Sequence, residues 1–257
     1  MKTTQKFLNV KRAFIIIMTV ALVAVSCTSG KKEAVNPFFA EWKTPFGVPP
    51  FDQIKNEHYL TAIDSGIALA RLQIAEITGN EDAPTFANTV AKYDRADELL
   101  SKVAAVFYSQ TSASTNDTLE ALQMEIAPRV SAFSDEVLLN AELFGRIKTV
   151  WENRDSTQLS AEELFLLDNL YKSFVRNGAL LGPEDQEKLK KMNQELSVLT
   201  VKFSQNVLAE TNGFRLVIDN EADLKGLPES VITTAAEIAK GEGMEGKWVF
   251  TTQKPSM

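Results

Sequence analysis

Apolar residues recur at intervals of three and four along most of this chain. Leu60, Ile63, Ile67, Ala70, Ile74 and Ile77 form one such stripe, which predicts an amphipathic helix closed by Gly79-Asn80. Pro84 suits the first turn of a second helix, with a stripe through Phe86, Val90, Tyr93, Leu100, Val103 and Phe107. A polar run from Ser109 to Asp117 predicts a turn. The next series runs from Leu119 through Leu122, Ile126, Val130, Phe133, Val137, Phe144 and Ile147 to Trp151, and Pro128 inside it predicts a kink or break near Ala127. Ser160-Ala161-Glu162-Glu163 is a capping box, in which serine and glutamate satisfy each other's end-of-helix amides, and it opens a helix through Leu164, Leu167, Leu170, Phe174 and Val175 to Asn177-Gly178. Gly182-Pro183-Glu184-Asp185 starts the clearest helix, with proline in the first turn and acids at the positive end of the dipole. Its apolar positions, Leu189, Met192, Leu196, Leu199, Phe203 and Val207, have heptad-like spacing and predict a buried stripe, too short for a free-standing coiled coil.

Beyond Asn212-Gly213 the period changes. Phe214, Leu216 and Ile218 alternate with Arg215, Val217 and Asp219, which predicts a strand, and Lys247 to Gln253 predicts a second. Pro228 to Lys240 between them reads as a helix closed by Gly241, and the pattern leaves parallel and antiparallel pairing open. The fold class expected is therefore mainly α, a bundle of long helices with a short two-strand element near the C-terminus. No repeat of solenoid period is present.

The segment from Asn36 to Asp52 differs from the rest. Pro37, Pro45, Pro49 and Pro50 forbid a regular helix there. Phe38, Phe39, Trp42, Phe46 and Phe51 are too apolar for a free linker, so an extended arm laying aromatic rings on the body is expected. Upstream, Lys2, Lys6, Lys11 and Arg12 precede a 13-residue apolar run from Ala13 to Val25, interrupted by Thr19. That run suits the core of a signal peptide and is short for a bilayer-spanning helix. It ends Ala24-Val25-Ser26-Cys27, and Cys27 is the only cysteine. A small residue followed by cysteine after such a run resembles a bacterial lipoprotein box. The implied chemistry is cleavage before Cys27 and acylation of its sulfur and new amine, which makes Cys27 the expected lipid anchor to a membrane. The organisation expected is a signal peptide over 1–26, a polar tether over 27–35 and one helical region over 36–257. Residues 1–26 carry four positive charges and no negative ones, so their removal takes the net charge from −7 to −11. An acidic chain argues against nucleic acid as a partner.

Candidate chemistry is sparse. His58 is the only histidine. A zinc peptidase of the HExxH type needs two histidines one helical turn apart and a third ligand, which this chain does not supply. A Ser-His-Asp arrangement would have to use His58, and no GxSxG motif accompanies it. His58 stands in Asn56-Glu57-His58-Tyr59 at a predicted helix start, where a capping or packing role accounts for it. Glu184, Asp185 and Glu187 lack an EF-hand loop and read as helix-dipole partners. Gly241-Glu242-Gly243 follows a helix and lacks a third glycine, so it reads as a turn. A single cysteine excludes an internal disulfide and multi-cysteine metal sites. No catalytic and no metal-binding residue is expected in this chain.

Three stretches carry a resemblance. TPFGVPPFDQIKNEHYL (Thr44 to Leu60) resembles the opening motif of the family that contains peptidyl-dipeptidase Dcp, oligopeptidase A and thimet oligopeptidase. GPEDQEKLKKMNQELSVLTVKFSQNVLAETN (Gly182 to Asn212) is similar to its long helix, and GLPESVITTAAEIAKGEGMEGKWVFTTQKPS (Gly226 to Ser256) to the segment that follows. The TPFG-PPFD start and the Gly-Pro-Glu-Asp helix entry resemble the Dcp branch in particular. The resemblance implies the N-terminal part of a two-lobed helical zinc metallopeptidase with a narrow channel that admits short oligopeptides. It implies zinc in the full-length family, on an HExxH helix in the C-terminal half whose glutamate acts as general base on the zinc-bound water. It also implies dipeptide release from free C-termini. None of those catalytic residues has a matching position in this chain. The expectation is thus a channel wall without the catalytic half, and continuation of the polypeptide beyond Met257. The expected location is exported and lipid-anchored, facing the periplasm on the outer membrane of a Gram-negative bacterium. The alternative from a different class is a stand-alone, non-catalytic helical lipoprotein that binds peptides or a protein partner.

Overall fold

The computed structural model describes residues Val35–Gln253. Cys27 and the apolar run before it lie outside the described residues, so the lipid-anchor expectation is not addressed by the fold. Among the described residues are seven helices of more than one turn: α1 (Asn56–Thr78), α2 (Glu98–Ala113), α3 (Asp117–Leu138), α4 (Ala141–Glu152), α5 (Ala161–Arg176), α6 (Pro183–Gly213) and α7 (Glu229–Gly241). A wide helical turn, Phe86–Val90, and a short turn, Ala91–Tyr93, precede α2. Two three-residue strands, β1 (Leu216–Ile218) and β2 (Trp248–Phe250), pair antiparallel, with Val217 opposite Val249. No helix among the described residues is long and apolar enough to cross a membrane. The architecture is the mainly α body with a two-strand element that the periodicity predicts.

α1 is the central element and packs on α2, α3 and α4. Its stripe, Ile63, Ile67, Ala70, Ile74 and Ile77, is buried as predicted. The approach to α2 is close because Gly66 faces the backbone of Leu100: a Cβ at Gly66 would lie 2.8 Å from Leu100 Cα. Val103 and Phe107 of α2, Ile126 and Phe133 of α3, Leu143, Phe144 and Ile147 of α4 and Phe174 of α5 complete one core. A smaller cluster of Val90, Val150 and Leu167 joins α4 and α5.

Several boundaries differ from those the sequence predicts. The helix expected from Pro84 onward is interrupted at Asp94–Asp97, and α2 then runs through Ser109 to Ala113. Pro128 lies inside an unbroken α3. A proline there costs roughly 3 kcal/mol, whereas each fully buried Leu, Ile or Phe on α3 contributes roughly 1.5–3 kcal/mol, and Leu119, Ile126 and Phe133 are all buried. Packing therefore outweighs the lost hydrogen bond. The break comes instead at Leu139-Asn140, where Asn140 caps α4 by accepting from the backbone N–H of Leu143 at 2.9 Å.

The N-terminal arm is only half packed. Phe38 is buried against Tyr59, and Lys102 donates to the carbonyls of Phe38 and Ala40 while lying 4.1 Å over the Trp42 ring. Phe39, Phe46 and Phe51 are exposed, contrary to expectation. Two tight turns, Pro37–Phe39 and Pro45–Gly47, bend the arm where an extended one is expected, and of its phenylalanines only Phe38 is turned into the core. Phe46 is also the one non-glycine residue with positive φ (59°) among the described residues.

The larger correction concerns α6. Of its residues only Val201 is buried, and Met192, Leu196, Leu199, Phe203 and Val207, expected inside, face solvent. The side of α6 that meets α3 is small and polar. Asn193 donates to Asp135 Oδ1 at 2.6 Å, and Gln205 donates to the Glu120 carbonyl at 3.0 Å. At its far end α6 leads into a small unit in which α7 packs on β2, with Leu224, Ala235, Ala239 and Val249 buried.

Candidate functional site

Among the described residues, His58, Ser160, Glu163, Glu184, Asp185 and Glu187 each have a local structural partner. His58 occupies the third position of α1, and its Nδ1 accepts the backbone N–H of Lys55 at 3.0 Å, while its carbonyl accepts from Asn36 at 2.9 Å. Its ring thus serves as a helix cap, and its backbone carbonyl ties down the arm. Ser160 and Glu163 form the reciprocal capping box. Glu184 and Asp185 bond Lys188, whose ammonium is held above the ordinary lysine range first by the hydrogen bond to Glu184 and then by that to Asp185. Lys190 bonds Glu187 at 2.7 Å and holds that carboxyl below its ordinary value. These acids complement a helix dipole and local lysines.

Two concavities bear on function. One, about 450 Å³, lies between α1, α2 and α3 and is lined by Ile74, Tyr93, Asp94, Asp97 and Phe133 among others. Burial, with help from the Asp97 charge, pushes the Tyr93 phenol up to about 12, so it remains a neutral donor at physiological pH. The other, about 520 Å³, is an open groove along α3 and α6. Its walls carry Gln123, Ser131, Ser134, Asn193, Ser197 and Thr200, with the nearly buried Asp135 at the seam and Leu196 on the rim. Hydroxyl and amide side chains both donate and accept, so such a wall can pair with the N–H and C=O groups of an extended peptide whatever its side chains. Among the described residues that line it, no hydroxyl is hydrogen-bonded to a carboxylate or an imidazole.

Sequence reading passed over this groove. The signal was present: Asn193, Ser197, Thr200 and Ser204 follow helical spacing on α6, as Gln123, Ala127, Ser131 and Ser134 do on α3. The heavier apolar stripe beside them drew the assignment of the buried face.

Zinc, the metal implied by the resemblance, does not fit the residues described. The single histidine is engaged as a cap, and no group of three or more His, Cys, Asp or Glu among the described residues could hold a metal ion.

Comparison with known proteins places the chain in its class. No protein-family model matches it. It is 37% identical over 227 residues to dipeptidyl carboxypeptidase of Escherichia coli, covering 87% of this chain and 33% of that protein. It is 36% identical over 228 residues to the protein of that name from Salmonella typhimurium. It is 28% identical over 210 residues to oligopeptidase A of Haemophilus influenzae, covering 82% of this chain and 30% of that protein. The chain is thus a relative of oligopeptidase-type peptidases. Specifically, over most of its length it is a relative of dipeptidyl carboxypeptidase and oligopeptidase A, as the three sequence stretches imply. It spans about a third of the length of these relatives.

Proposed function

We propose that this chain is the N-terminal helical region of a peptidyl-dipeptidase-like zinc metallopeptidase that degrades short peptides. In this reading it forms one wall of the peptide channel, and the zinc-binding half is separate from the residues described. The observation that carries the reading is the 37% identity with dipeptidyl carboxypeptidase across 227 residues. The polar groove along α3 and α6 supports it, because its hydroxyls and amides suit a peptide main chain. The part of the reading that concerns location rests on Cys27, proposed as a lipid anchor that holds the protein on the periplasmic face of the outer membrane.

A chimera tests the catalytic part. Residues 36–253 replace the matching third of the Escherichia coli dipeptidyl carboxypeptidase, and zinc-dependent release of C-terminal dipeptides from short peptides is measured. Activity within about tenfold of the parent enzyme is expected. A chimera that folds and holds zinc, yet releases no dipeptide, overturns the reading. For the anchor, Cys27→Ala should abolish incorporation of labelled fatty acid and release the chain from membranes.

A further inference from the structure

The apolar positions of α6 are the largest feature that the fold leaves unexplained. Met192, Leu196, Leu199, Phe203 and Val207 are each 48 to 70% exposed. At 3.6 residues per turn they share one side, roughly 140° round the helix from the Asn193, Ser197, Val201 and Gln205 side that meets α3. The stripe from Met192 to Val207 is roughly 22 Å long at 1.5 Å per residue. Five such side chains expose on the order of several hundred Å² of apolar surface, the size at which a patch on a soluble protein marks an interaction site. Only Leu189, at its start, is half-buried: it sits where a Cβ on Gly178 would meet it at 2.7 Å.

We infer that this stripe is the seat of the metallopeptidase body, the polypeptide that makes up the remaining two-thirds of the relatives. The inference rests on the reading given under Proposed function and adds the surface through which the two parts hold together. Three observations choose this occupant. The stripe carries no charge, so its partner is an apolar face and not an ionic ligand. The helix that bears it lies inside the region similar to the relatives, whose polypeptides are about three times as long as the matched part. A second copy of this chain fits less well: the seam is interrupted by Asn206 after two heptads, below the three to four that a stable helix pair needs, and two acidic chains, each with net charge −11 without residues 1–26, repel. The polar groove shares its rim, Leu196, with the stripe. A body seated on the stripe would therefore stand beside the groove and turn it from an open surface into the side of a channel.

The test uses residues 28–257, without the expected signal peptide and Cys27, co-expressed in one compartment with the C-terminal two-thirds of the Escherichia coli relative as a separate polypeptide. Co-purification is expected. Leu199→Lys together with Phe203→Lys should lower it at least tenfold, whereas Lys191→Glu, on the same helix outside the stripe, should change it less than twofold. To cover failure of the catalytic part to fold alone, the same substitutions are also placed in the chimera, where the double variant should lower dipeptide release at least tenfold and the control should not. Stripe variants that are silent in either a co-purifying pair or an active chimera overturn the inference and leave the functional reading intact. A lone chain that sediments as a dimer, which the double variant dissolves, also overturns it in favour of a second copy. A chimera that folds and loads zinc but stays inactive defeats the functional reading instead, and co-purification then decides the docking by itself.

Discussion

Tyr93 shows how position alone changes the chemistry of a side chain. Its ring stacks edge-on against Phe174 at 5.7 Å and its hydroxyl is largely removed from water, which raises its pKa to about 12. The unfolded chain releases that proton near pH 10 and the folded chain near pH 12. The contribution to stability is therefore complete below pH 10 and is lost as pH rises through 12. A shift of about two units corresponds to roughly 2–3 kcal/mol. Urea unfolding at pH 9 and pH 11.5 should show a loss of that order, and Tyr93→Phe should show a smaller loss. An equal loss in both would mean that other groups govern the alkaline limb. His58 makes the complementary point at the same scale: its ring accepts a backbone N–H, so its identity serves the start of α1 and needs no catalytic explanation.

Elements here are placed by the closeness of their contacts as much as by their stripes. Gly66 is the clearest case. Within a helix, glycine to alanine usually stabilises by roughly 1 kcal/mol. At Gly66 the new methyl would sit 2.8 Å from Leu100 Cα and 2.9 Å from Leu100 N, both backbone atoms that cannot rotate away. Forcing α1 and α2 apart would disturb Ile63, Ile67, Val103 and Phe107, all buried. Overpacking of this kind costs roughly 1–3 kcal/mol, so steric conflict wins over propensity. Gly66→Ala should lower the free energy of chemical unfolding by about 1 kcal/mol or more, and a stabilised variant would show that the two helices separate freely. The capping box at Ser160 and the acids after Pro183 were legible in sequence because each acts within one turn of its own helix. The end of α3 at Leu139 was not, because it depends on where Asn140 can cap a helix that packs in another direction.

At the scale of the whole molecule, the described residues leave one apolar surface uncovered. The core around α1 is closed, while one side of α6 presents an apolar stripe to water. Substituting lysine for Leu199 and Phe203 should therefore leave the unfolding free energy of the lone chain within about 0.5 kcal/mol, the range of ordinary surface changes, and should reduce binding of a hydrophobic dye. A large loss of stability would show that the stripe is buried in the chain's own fold. The groove belongs to this scale too. Its polar side chains come from α3 and α6, which are separated in sequence by two other helices.

By itself the sequence determined the helical class, most helix starts, the pairing potential of two short strands and the absence of a histidine pair for zinc. These follow from local periodicity, from capping within one turn and from counting residues, none of which requires a distant partner. Tertiary structure decided which side of α6 turns inward, whether Pro128 breaks α3, how far the aromatic arm packs and that polar residues of two helices form one groove. Each of these depends on which surfaces meet. Hydrophobic periodicity marks the side of a helix that gains by leaving water, but it does not name the neighbour that covers it. On α6 the neighbour within this chain is α3, held by Asn193 and Gln205, and the apolar stripe is left facing out.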